Sequence, residues 1–66
     1  MPTLIKFAGG DSIVVHEEFG VVNTKLVVEG APFGQFIDQN GDAVTVFSAN
    51  ILFIQPQAEW PSVPIG

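Results

Sequence analysis

The residues best suited to chemistry are few and stand apart along the chain. His16-Glu17-Glu18 sets a titratable imidazole beside two carboxylates, the pairing a general base uses with its orienting partner. Catalysis also needs a nucleophile, an oxyanion donor and a second acid. The chain has no Cys or Tyr, and no Ser stands in a recognisable elbow, so no enzymatic activity is expected and the triplet reads as a strand end followed by acids that open a helix. Asp38-Gln39-Asn40-Gly41-Asp42 spaces side-chain oxygens like the start of a calcium loop. Gly41 comes too early in that loop, however, and Ala49 stands where a bidentate glutamate belongs. Gly9-Gly10 could cradle a phosphate only if a helix began directly after it, whereas Ser12-Ile13-Val14-Val15 reads as a strand. Pro61-Ser62-Val63-Pro64 has the PxxP spacing that aromatic grooves recognise, without the neighbouring Arg or Lys such ligands usually carry. No metal or cofactor is expected. Phe7, Phe19, Phe33, Phe36, Phe47 and Phe53 could stack on the base of a small nucleotide, although core and interface packing is the commoner use of such residues.

Charge narrows the partners. The formal net charge is −5, and Lys6 and Lys25 are the only basic residues. Nucleic-acid affinity comes mostly from neutralising phosphates with Lys and Arg, so DNA and RNA are not expected as partners. The seven acids are too scattered to mimic a phosphate row. No charged segment precedes a long apolar stretch at the N-terminus, as a signal peptide requires. The longest apolar run, residues 43 to 54, falls short of the 18 or more residues of a spanning helix. The expectation is a cytoplasmic protein with no membrane partner, in the host cytoplasm if phage-encoded.

Sixty-six residues bury only about 60% of the surface their unfolded chain exposes. Small domains commonly add disulfides, metals or partner chains, and without cysteines only association is left. The chain is 47% hydrophobic and 14% charged, against about 25% charge in ordinary soluble domains, so apolar surface should remain after folding and mark an interface.

The elements follow from spacing. Residues 3 to 8 and 12 to 15 form two short β-rich runs joined by the glycine pair, a hairpin pattern. Over residues 17 to 29, Phe19, Val22 and Leu26 share one helical face, Glu17 and Glu18 suit a helix N-terminus, and Gly30 suits its end. The alternative is a strand with Val22, Thr24, Leu26 and Val28 along one side, since β-branched residues lose side-chain freedom in a helix. Residues 33 to 38 and 43 to 47 read as strands flanking Asn40-Gly41, a strong hairpin signal. Ser48-Ala49-Asn50 turns the chain into Ile51-Leu52-Phe53-Ile54, a strand apolar on both sides, of the kind normally central or covered on both faces, for which a monomer this small has scarcely the material. Pro56, Pro61 and Pro64 then break strand structure, leaving an extended arm whose Trp60 should pack on its own sheet or on a neighbour.

Residues 41 to 56 carry the pattern G-x-x-V-x-V-x-x-x-x-I-x-x-I-x-P. With the opening strand and the Gly10-Asp11 turn, it resembles small uncharacterised bacterial and bacteriophage proteins of β-β-α-β-β-β order. The resemblance implies that element order and such an origin, and brings no site residues with it.

Taken together, the expectation is a mostly β, α+β domain over residues 1 to 55: an antiparallel sheet of about five short strands, one helix over 17 to 29, and a Pro-rich arm over 56 to 66. The function expected is a homo-oligomeric interaction or regulatory module whose interface uses Val46, Ile51, Phe53, Trp60 and Ile65. A second reading is a phage-encoded sponge that holds a small nucleotide messenger between protomers.

Overall fold

Two glycines in the left-handed region set the two hairpins. Gly10 (φ +105°) and Gly41 (φ +84°) each occupy the third place of a three-residue loop, where a side chain would be strained. In the first loop the Phe7 N–H donates to the Asp11 carbonyl (2.8 Å) and the Gly10 N–H to the Phe7 carbonyl (3.0 Å); in the second the Asp38 N–H donates to the Asp42 carbonyl (2.9 Å) and the Gly41 N–H to the Asp38 carbonyl (3.0 Å). Both are a turn followed by a left-handed glycine, and both leave through Gly-Asp. Asn40-Gly41 thus makes the three-residue loop rather than the two-residue one its sequence most often signals.

The computed structural model describes residues 1–57. The arm expected at Trp60, Ile65 and Pro61-Ser62-Val63-Pro64 lies outside the described residues. The protein is α+β and mostly β. Five strands, β1 (Thr3–Phe7), β2 (Ser12–Val15), β3 (Phe33–Ile37), β4 (Ala43–Phe47) and β5 (Ile51–Pro56), run in chain order. Between β2 and β3 lies one helical segment, α1 (Phe19–Asn23), which continues as a π-helical turn (Thr24–Val28); a 3-10 turn (Ser48–Asn50) joins β4 to β5.

The single sheet expected is divided in two, β2-β1-β5 and β3-β4, all antiparallel. They meet at one seam. Val15 bridges Asp38, the His16 N–H donates to the Ile37 carbonyl (2.9 Å), and Glu17 Oε1 accepts the Ile37 N–H (3.4 Å).

The helical segment covers 19–28, shorter than the 17–29 expected. Glu18 has extended backbone (ψ 149°) and serves as the N-cap residue, while the Glu17 carbonyl accepts the buried Thr3 hydroxyl (2.8 Å). Neither glutamate is therefore helical. At the far end the Glu29 N–H reaches back to the Thr24 carbonyl (2.8 Å), the Ala31 N–H reaches the Lys25 carbonyl (3.1 Å), and Gly30 ends the segment at φ +70°. α1 packs on β5 and the π-turn on β3, so the segment spans both sheets. Its inward residues Val22 and Leu26 join Ile5, Val15, Phe36 and Val46 in the core, with Phe7, Ile13, Val44, Ile51 and Ile54 packed around them.

β5 is an edge strand whose Leu52 and Phe53 are 62% and 44% exposed in the single chain, and it corrects one expectation by running on through Pro56. The register steps from Lys6↔Phe53 to Phe7↔Ile51, which leaves Leu52 as the extra residue of a bulge. This turns both Ile51 and Ile54 inward despite their spacing of three.

Candidate functional site

The seam explains the residues that looked most chemical. Both carboxylates of the His16-Glu17-Glu18 triplet have structural tasks, Glu17 at the Ile37 N–H and Glu18 with the N-terminal ammonium of Met1. His16 is exposed and ties β2 to β3 through its backbone. The Asp38 to Asp42 loop is likewise occupied with its own turn, since Asp38 Oδ1 accepts the N–H groups of Asn40 and Asp42, both at 2.9 Å. Among the described residues no group of three or more His, Cys, Asp or Glu is placed to hold a metal ion. No helix there is long and apolar enough to cross a membrane.

Two open depressions mark the surface. One, of about 420 Å³, lies on the outer side of the helical segment and is lined by Gly20, Val21, Thr24, Lys25 and Glu29. The other, of about 190 Å³, lies at the seam and is lined by Glu17, Gln35, Phe36, Ile37 and Ala43. The first offers a cation with no aromatic ring. The second offers Phe36, which is buried in the core, beside a carboxylate. Neither combines a stacking ring with a positive charge, the combination an anionic nucleotide favours.

What the surface offers instead is apolar area. Among the described residues, nine large hydrophobic side chains are 40% to 72% exposed, and all but Met1 fall into three groups. Phe33, Ile37 and Phe47 share the outer face of the β3-β4 hairpin, with the Phe33 and Phe47 rings 6.0 Å apart and tilted by 56°. That pair sits directly across the two strands. Leu52 and Phe53 form the second group at the β5 edge, and Val21, Val27 and Val28 the third on the helical segment. None of β3, β4 or β5 carries a charged side chain.

The interface residues expected from sequence separate accordingly. Val46 does not belong to the surface: it is the inward residue of β4, 2% exposed, between outward Thr45 and Phe47. Ile51 is half-buried against the core, and Phe53 is exposed. Trp60 and Ile65 lie outside the described residues. Phe33, Ile37 and Phe47 were missed as surface residues, although their odd-numbered alternation opposite core positions 34, 36, 44 and 46 carried the signal.

The edges of β5 and β4 differ. The Gln57 N–H donates to the Pro2 carbonyl (2.9 Å), which makes Thr3↔Pro56 a non-hydrogen-bonded pair and points the missing Pro56 N–H at the free edge. Proline and a bulge are both devices that blunt an edge against a further strand, and β5 has both. β4 has neither. Its register with β3 is unbroken from Ile37↔Ala43 to Phe33↔Phe47, and among the described residues it pairs with β3 alone.

Compared with known proteins, the chain matches no family model, no curated protein and no solved structure.

Proposed function

We propose that this chain is a non-enzymatic interaction module that acts by self-association, burying the apolar surface of its β3-β4 hairpin and β5 edge against a second molecule. The observation that carries this reading is the exposure of Phe33, Ile37, Phe47, Leu52 and Phe53, between 40% and 62%, on strands without a single charge. Exposed apolar groups of this kind on a small domain mark protein contact surfaces. A bacterial or bacteriophage origin rests on the resemblance carried by the opening strand, the Gly10-Asp11 turn and the pattern of residues 41 to 56.

Phe47→Glu and Phe53→Glu test the reading. Each side chain is solvent-facing, so the circular dichroism spectrum should be unchanged. Light scattering should find a wild-type mass of at least twice 7.0 kDa and a lower mass for one or both variants. A uniform 7.0 kDa wild type would overturn the proposal.

A further inference from the structure

We infer that β4 is the edge through which two copies of this chain pair, antiparallel about a two-fold axis at Thr45, to make one continuous sheet of order β3-β4-β4-β3. This deepens the self-association reading and rests on it.

Which backbone groups of β4 face outward follows from the hydrogen bonds that flank the hairpin. The Asp38 N–H donates to the Asp42 carbonyl and the Ser48 N–H to the Pro32 carbonyl (3.0 Å). These bonds make Ile37↔Ala43, Gln35↔Thr45 and Phe33↔Phe47 the non-hydrogen-bonded pairs of the ladder. The N–H and C=O groups of Ala43, Thr45 and Phe47 therefore point away from β3, toward an edge that no other described strand occupies.

That edge is complementary to itself. With the axis at Thr45, Thr45 meets Thr45 of the second copy, and Ala43 meets Phe47 in both directions. Two hydrogen bonds form at each of these paired positions, and no outward group of Ala43, Thr45 or Phe47 is left over. The side chains agree with this register. On the outer face each Phe47 ring lies beside the small Ala43 of the other copy, so Ile37, Ala43, Phe47 and Phe33 form one apolar row across the joined sheet. Threonines directly across from each other form a favourable cross-strand pair.

Charge selects the same arrangement. Asp38 and Asp42 cap one end of the hairpin, and each copy carries a net charge of −5. Parallel pairing would set Asp42 beside Asp42. Antiparallel pairing about Thr45 separates them by about 20 Å along the strands, beyond the roughly 8 Å screening length at physiological salt. β5, with its bulge and Pro56, offers no comparable row of outward groups.

The absence of cysteine makes single-cysteine variants clean reporters. At an axis through Thr45 the two Cα atoms stand about 5.5 Å apart, within disulfide range. Two Ala43 Cα atoms stand about 14 Å apart in the same arrangement, outside it. Thr45→Cys, Ala43→Cys and Gln55→Cys replace exposed residues and would be oxidised under matched mild conditions. Thr45→Cys should yield covalent dimer at least about tenfold faster than either of the others. Thr45→Pro removes an N–H that β3 does not use and should reduce wild-type association at unchanged circular dichroism. A self-associating wild type whose Thr45→Cys variant cross-links no faster than Gln55→Cys would overturn the β4 assignment and leave self-association standing. A monomeric wild type would remove both.

Discussion

Gly34 shows how one missing side chain holds the small core together. It is buried on the inward face of β3, and a Cβ built there would lie 2.8 Å from Phe36 Cζ and 3.3 Å from Leu26 Cδ2. Phe36 is itself 3% exposed, so its ring has nowhere to go. Gly34→Ala should therefore cost about 1–3 kcal/mol, the usual penalty of overpacking, measured by urea denaturation. Gly41 acts through the backbone instead: nothing lies within 4 Å of its absent Cβ, but its φ is +84°, and Gly41→Ala should cost about 1–2 kcal/mol. The need at Gly41 was legible, because a glycine in an Asn-Gly step between two strands announces a turn. The need at Gly34 was not, since it arises only when Phe36 and Leu26, the latter eight residues away along the chain, are folded over the same spot.

The strands were legible as elements wherever period two held. β2, β4 and the 3-10 turn follow the expected bounds, and β1 and β3 differ from them by one residue. β5 was legible as a strand, but not its irregularity: Ile51 and Ile54 are three apart, a spacing that no regular strand turns to one face, and a bulge at Leu52 brings both inward. Proline is expected to end a strand, yet the ring of Pro56 sits where no ladder N–H is needed. The helical segment resolves the ambiguity of residues 20 to 28 in favour of a helix, though a π-turn takes up its β-branched half. Two substitutions test this element. Leu26→Ala removes a buried side chain that reaches Gly34 and should cost about 2–5 kcal/mol. Gly20→Ala lies on the exposed side of α1 with open space around it and should stabilise the fold by about 0.5–1 kcal/mol, read as a raised Tm.

At the scale of the whole molecule, the sequence indicated that a greasy, weakly charged chain of this size would leave apolar surface outside. Alternation along β3 and β4 separates their residues into two faces, but which of the two points outward depends on how the sheets divide. Val46 illustrates the limit: it looked like part of an interface run and is a core residue, while its outward neighbours Thr45 and Phe47 face the free side. Self-association brings like-charged copies together, five negative charges on each. Screening should therefore help it, and the association constant should rise as sodium chloride is added, the reverse of an assembly held by ion pairs. The claim on which this account depends is that the chain associates with itself, and sedimentation equilibrium from low micromolar to near-millimolar concentration measures it directly. Self-association gives a weight-average mass that climbs from 7.0 kDa toward at least twice that value by mass action. A mass fixed at 7.0 kDa across the whole range would contradict it.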